Sequence, residues 1–408
     1  MFKKKYRNPH SRLSVAPLLG AGVLAVTAPT WAADSFTGAL TGGKPNADLR
    51  LRYEGVDQAN IAENASATTL RLRLGYETDT WQGFGAFVEA ETITALFGER
   101  YNSTVNGKTS FPVVADPEGT EINQAYLSYA GLPGTRLKYG RQRIILDNHR
   151  FIGNVGWRQN EQTYDALTVT NASLPQTNIT AGYIFNVNRV FSDKSPQGNF
   201  KMKSPIFNIN YKGWSLGEVV GYGYLLDFAD LAASSTQTYG LRLKGSAPLG
   251  SVKALYTAEY ATQRDYRDNP RDFGLKYYLL EGGVGLAAAE FKLGYEVLGG
   301  NGTVAFQTPL ATLHSMNGWA DLFLTTPATG LKDGYVSAAT TVLGTRLEAI
   351  YHDFRADSNS TRYGTEWDLW AVKPIDKTYS VGAKYAGYSA KGFAVDTEKF
   401  WLWVEAKF

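Results

Sequence analysis

The ten residues Lys399–Phe408, KFWLWVEAKF, decide how the whole chain is read. Phe400, Leu402, Val404, Ala406 and Phe408 fall on one face of an extended strand, and Trp401, Trp403, Glu405 and Lys407 on the other. Alternation with period two marks a strand. A strand that runs to the last residue needs a partner for its edge. In hydrocarbon that edge cannot stay open, because unpaired backbone groups there have no water to bond. The natural partner is the first strand of the same chain, which closes a barrel. In water the same ten residues would make the solvent-facing edge of a soluble β protein, so the rest of the chain must decide.

The N-terminus carries Lys3, Lys4, Lys5, Arg7 and Arg12, then an apolar run from Leu13 to Ala28. Small residues Thr30 and Ala32 follow with the spacing of a cleavage site, so residues 1–32 read as a secretory signal peptide and 33–408 as the mature domain. No other stretch is apolar for about 18 residues, which excludes a helical membrane protein. Removing residues 1–32 takes five of the 41 basic side chains and no acidic one, leaving 36 against 38. The basic balance therefore belongs to the leader, and no nucleic-acid partner is expected. With no cysteine there are no disulfides, thiolate metal sites or thiol catalysis, and no cofactor is called for. The 25 Tyr, 20 Phe, 9 Trp and 42 Gly suit a barrel with one greasy and one wet face.

The mature chain divides into eighteen candidate strands, with sixteen the next count, among them 119–130, 134–145, 161–171, 204–212 and 398–408. Even-numbered strands end in tight turns such as Gly131-Leu132-Pro133-Gly134 and Ala247-Pro248-Leu249-Gly250, and the glycine-rich turn after strand twelve is hard to place. Odd-numbered strands lead into polar loops, notably 96–118, 146–160, 189–203 and 300–331. Short periplasmic turns and long extracellular loops are the pattern of an all-β, antiparallel transmembrane β-barrel of the outer membrane. Such a barrel contacts outer-membrane lipid and lipopolysaccharide, the latter near Lys194, Lys201 and Lys203.

Alternation within the strands is clean. Leu49, Leu51 and Tyr53 oppose Arg50, Arg52 and Glu54; Leu70, Leu72 and Leu74 oppose Arg71 and Arg73; Val88 and Ala90 oppose Glu89 and Glu91. Tyr239, Leu241 and Leu243 oppose Arg242 and Lys244. A barrel of this size is too wide for side chains to fill, so the charged set should line water. Gln142, Glu366, Asp368 and Lys384 complete the candidate lumenal residues. Opposed arginine and glutamate rows can set ion selectivity, or can simply pair along the wall. Arginine suits carboxylate-bearing solutes because its planar fork meets both oxygens. The segment 301–331 is unusually apolar for a loop (Phe306, Leu310, Trp319, Phe323), so it is expected either to fold inward or to form an extra strand pair on the rim.

Residues 139–170, YGRQRIILDNHRFIGNVGWRQNEQTYDALTVT, are the most distinctive stretch. The pieces Gly140-Arg141-Gln142, Asp147-x-x-Arg150-Phe151-Ile152-Gly153, Gly156-Trp157-Arg158 and Thr163-Tyr164-Asp165-Ala166 resemble the alginate-export family of outer-membrane proteins. The early strand LRLRLGYET and Asn123-Gln124-Ala125-Tyr126-Leu127 share in that resemblance. Ending on Phe408, the last strand also resembles the C-terminal signal by which such proteins are recognised by the barrel-assembly machinery. The resemblance implies an eighteen-stranded channel with an arginine-lined lumen.

From the residues themselves, Asp147 and Arg150 could pair to pin the loop, Trp157 could anchor it, and Asp165 could meet an arginine of the preceding strand. Strict alternation points Arg141 at lipid, whereas a bulge at Gly140 would turn it inward. The leading functional reading is a channel for hydrophilic, anionic solutes such as uronate polysaccharide or oligosaccharide. A second is a channel for small hydrophobic or aromatic compounds. A third, an outer-membrane hydrolase, finds little support: only His149, His314 and His352 remain after the leader, none in a nucleophile motif.

Overall fold

A computed structural model describes residues 33–408; residues 1–32, read above as an export signal, lie outside them. The short helix α1 (Phe36–Thr41) precedes eighteen strands. These are β1 (Lys44–Gln58), β2 (Ala65–Glu77), β3 (Phe84–Arg100), β4 (Gly119–Leu132), β5 (Thr135–Gln142) and β6 (Thr163–Asn171). Next come β7 (Thr177–Asn188), β8 (Asn199–Trp214), β9 (Gly217–Leu226), β10 (Thr236–Leu249), β11 (Val252–Asp265) and β12 (Gly274–Gly285). The chain finishes with β13 (Ala289–Leu298), β14 (Leu331–Val342), β15 (Thr345–Arg355), β16 (Arg362–Pro374), β17 (Tyr379–Ala390) and β18 (Thr397–Lys407).

Each strand pairs antiparallel with its neighbours in sequence, and β1 pairs with β18 to close the cylinder. The seam sets Leu51 against Val404 and Tyr53 against Leu402. Beyond it, Phe408 and Ala47 exchange both backbone hydrogen bonds, at 2.8 and 3.2 Å, so the final residue completes the ladder. No edge remains, which is the condition for sheet to cross hydrocarbon.

The alternation sorts the side chains as the inverted reading requires. Leu51, Leu74, Leu127, Leu241 and Leu293 stand exposed on the outside, while Arg52, Arg71, Glu54 and Glu91 are 1% exposed on the inside. Trp214 is exposed at the end of β8, the level at which amphipathic rings meet headgroups. The turn after β12 proves to be a tight one, with Leu286 N–H donating to Ala289 C=O at 2.7 Å.

Three strands differ from the sequence reading in ways that bear on the interior and the loops. The strand expected over 134–145 stops at Gln142, and the one expected from 161 starts at Thr163, because residues 143–162 leave the wall and turn into the lumen. The strand expected over 204–212 extends from Asn199 to Trp214, placing Lys201 and Lys203 on a strand rather than in a loop. A bulge between Ile184 and Asn186 lets β7 keep pairing along that extension.

Candidate functional site

The interior is organised by two long loops, residues 143–162 after β5 and 299–330 after β13. They meet as strands do: Ile152 and Leu310 form a parallel bridge, Gly153 N–H donates to Leu310 C=O at 2.9 Å, and Thr312 N–H to His149 C=O at 3.0 Å. Gln162 Nε2 adds a bond to Leu310 C=O at 3.0 Å. Apolar side chains give the pair its weight. Phe151 packs on Tyr222, Tyr224, Tyr277 and Phe306, and Phe323 on Phe354, Tyr363, Tyr388 and Phe393. Such residues in a loop need a greasy partner, and here each loop finds one in the other loop and in the inward aromatics of the wall.

The first loop is gripped by the arginines of β1 and β2. Arg50 donates to Gln159 Oε1 at 2.9 Å, to Gly156 C=O at 3.1 Å and to the Arg158 carbonyl. Arg52 reaches the Trp157 carbonyl and the carboxylate of Asp116, which belongs to the loop after β3. Arg73 pairs with Glu91, opposite it in register, and reaches Gln159 C=O at 3.3 Å. Arg71 takes Asp48 at 2.6 Å. Main-chain carbonyls of residues 156–159 thus face a row of guanidinium groups. Among the described residues the hydrogen bonds of Arg50 all end on neutral acceptors, although Arg50 is buried and directly opposite Arg71.

A second network joins the loops to β1, β17 and β18, the wall beside the arginine strands. Arg158 donates to Glu54 at 3.0 Å and to Asp321 Oδ2 at 2.9 Å, and Lys399 reaches the same Asp321 oxygen at 2.9 Å. Asp321 Oδ1 accepts from His314 Nδ1 at 2.7 Å, and His314 Nε2 accepts from Lys384 at 3.0 Å, which fixes the neutral tautomer. Burial pushes the His314 imidazole down to about 3, with the Lys384 ammonium reinforcing the effect. Burial alone would raise the Asp321 carboxyl, but His314, Lys399 and Arg158 hold it well below its ordinary value. The ammonium of Lys384 sits 3.8 Å from the Trp319 ring centre and 4.3 Å from that of Trp157, while Trp157 stacks on His314 at 4.8 Å.

Farther round, Glu366 Oε1 accepts from Ala320 N–H at 2.6 Å and Asp368 from Trp319 N–H at 3.2 Å, so these wall carboxylates hold the second loop. Glu89 accepts from both Asn123 and Gln124, at 2.7 and 3.0 Å. A bulge in β4 makes this possible by turning two successive side chains inward. Gln142 bonds Ala166 C=O at 2.9 Å and Thr168 at 2.8 Å. Arg242 lies 3.9 Å from Glu259, and Lys244 stands exposed opposite Glu218 in register.

Asp147 and Arg150 do not pair with one another. The Asp147 carboxylate accepts from Asn208 at 2.8 Å, whereas Arg150 meets Glu296 at 3.0 Å, because positive φ at Asp147 and at His149 turns the chain between them. Arg141 does meet Asp165, at 2.9 Å, and the pair stays on the outer face beyond Tyr139 and Leu167. Gly140 has φ +125, yet the irregularity does not turn Arg141 inward. Given no role in these networks by the sequence reading were Asp116, Arg158, Gln159, His314, Asp321 and Lys399, together with the ion pair of Arg143 and Glu161 at 2.8 Å. Several stand in the quoted stretch 139–170, whose density of polar side chains, unusual for a plain loop, was the available signal. A hollow of about 650 Å³ at β13–β18 is bounded mainly by apolar side chains such as Phe291, Leu347, Leu369 and Phe400, with Glu348 and Lys384 also on its lining.

A closed eighteen-stranded cylinder, apolar outside and ionic inside, defines the class: an outer-membrane β-barrel of the porin type. Within that class, residues 45–177 match the alginate-export family, the stretch that spans the arginine strands and the first lumenal loop. Solved structures share the architecture. The Pseudomonas aeruginosa channel OpdK, solved with vanillate, aligns at TM-score 0.72 and 14% identity over 91% of this chain and 100% of its own. OccAB2 of Acinetobacter baumannii aligns at 0.73 and 15% over 91% and 98%, and OccK9 (OpdG) of P. aeruginosa at 0.72 and 12% over 91% and 99%. No curated protein matches the chain.

Proposed function

We propose that the chain is a channel for hydrophilic anionic solutes, of the uronate polysaccharide or oligosaccharide class. Arg50 is the observation that carries this reading. Its guanidinium, buried opposite both Arg71 and Glu405 and bonded only to amide oxygens of the first loop, adds positive potential to the interior without an open donor, which favours an anionic over a cationic visitor. The likeness of residues 45–177 to the alginate-export family supports the same solute chemistry. Arg50, Arg52, Arg71 and Arg73 are the selectivity residues on this reading, with Lys244 and Arg242 available on the far wall. The C-terminal strand serves as the mark for the barrel-assembly machinery. No catalytic role is proposed for any residue.

The test is a reversal potential in planar bilayers under a salt gradient, repeated with Arg50→Gln and with the pair Arg71→Gln, Arg73→Gln. Anion preference should fall in each variant, and oligouronates should shorten wild-type open events more than neutral oligosaccharides do. An unchanged reversal potential in all variants removes the arginine row from selectivity. A second reading takes small aromatic carboxylates as cargo. It is favoured by the vanillate in the OpdK structure and by the Trp157–Trp319–Lys384 grouping. Current block by vanillate but not by oligouronate would select it.

A further inference from the structure

At the short-turn end of the barrel, α1 is fastened to the outside of the wall. Tyr76 belongs to the outward set of β2, and its hydroxyl donates to Leu40 C=O at 2.6 Å while accepting from Gly43 N–H at 3.0 Å. The ring lies against Gly43, where an added Cβ would come within 2.6 Å of it. Asp79 N–H donates to Ala39 C=O at 3.1 Å and Ala33 N–H to Thr80 C=O at 2.8 Å, tying the helix to the β2–β3 turn. Ser35 caps the helix, and Ala39 is the side chain it buries.

Phe36 and Leu40, four residues apart, share the helix face that is left uncovered, at 58% and 46% exposure. Phe36 packs edge-on against Trp81 at 5.7 Å. Beside that pair stand Phe84, 57% exposed, packed at a tilt on Tyr129 with ring centres 4.6 Å apart, and then Leu132. Phe84 and Tyr129 lie on the outward face of β3 and β4, so the patch continues the lipid-facing belt without a break. An apolar helix face joined to that belt, edged by Trp and Tyr, matches the boundary between headgroups and acyl chains.

We infer that α1 is an interfacial anchor, with Phe36 and Leu40 inserted into the headgroup boundary of the periplasmic-side phospholipid leaflet. Its occupant is phospholipid, because the patch is continuous with a surface already covered by lipid. A periplasmic protein bound there would leave the helix outside the bilayer. The chain has no cysteine, so single labels are clean. Nitroxides are placed at Phe36→Cys and Leu40→Cys, with Leu51→Cys as the mid-wall reference and Gln197→Cys as the loop reference. The full-length barrel is reconstituted in phosphatidylethanolamine/phosphatidylglycerol vesicles, and collision with oxygen is compared with collision with a water-soluble nickel chelate. Both helix labels should favour oxygen several-fold more than Gln197→Cys, and less than Leu51→Cys. Nickel access equal to that at Gln197→Cys overturns the inference, as does shielding from both reagents, which would mean burial in protein.

Discussion

Asp321 is the residue on which the interior turns, since His314, Arg158 and Lys399 all converge on its two oxygens. Removing its charge strands buried cations, a change worth about 3–5 kcal/mol when one partner of a buried pair is lost. Asp321→Asn should therefore let the second loop leave the lumen while the barrel stays folded. Protease cleavage within residues 313–326 of the folded, heat-modifiable barrel measures this; a rate equal to wild type contradicts the role given to Asp321. A pH dependence follows from the same group. Seated, His314 resists protonation down to about 3, whereas in water it titrates near about 6.5. Release of the loop therefore takes up a proton below that value, and Asp321, also depressed when seated, adds a second at lower pH. His314's contribution to seating is fully present above pH 7 and is lost from about pH 6.5 toward 3. Asp321 and Arg158, which face His314 from the two loops, keep their charges through the upper part of that range. Open-channel noise should grow as pH falls from 6.5 toward 4; noise that is flat over that interval contradicts it.

Among elements, the strands were legible and the loops only partly. Leu-Arg-Leu-Arg in β2 declares its two faces because side chains alternate strictly, and a slip of one residue would put charge in lipid. Loop 299–330 declared only its greasiness: Phe306 and Phe323 had to be covered, but nothing in their spacing named Phe151 or Phe354 as the cover. Arg50 looked from the sequence like a lumenal charge open to solute, and the loop carbonyls that cover it come from residues more than a hundred positions away. Asp147 and Arg150 misled because three-residue spacing suggests contact in a regular element, and this segment is not regular. Glycine placement belongs to the same scale. At Gly140, φ is +125 and a Cβ would stand 2.4 Å from Ala125 C=O, so Gly140→Ala should cost about 1–3 kcal/mol or more. At Gly221 no atom comes within 4 Å of a Cβ, so Gly221→Ala should change little. The folded fraction after detergent refolding compares the two; equal losses would show that the β4–β5 approach is not the cause.

As a whole molecule, the protein inverts the usual distribution of side chains: its large apolar residues face outward and its arginines and carboxylates face a lumen divided by two joined loops. Closure by Phe408 against Ala47 makes the inversion tolerable, because no strand edge is left in hydrocarbon. The loops fill part of the wide cylinder and are held there by the arginine row of β1 and β2. The most direct measurement is the current through the purified, folded wild-type protein in a planar bilayer under a salt gradient. Discrete single-channel steps with a reversal potential displaced toward that of the anion are expected. Folded protein that inserts without conducting, or that reverses toward the cation, contradicts the account.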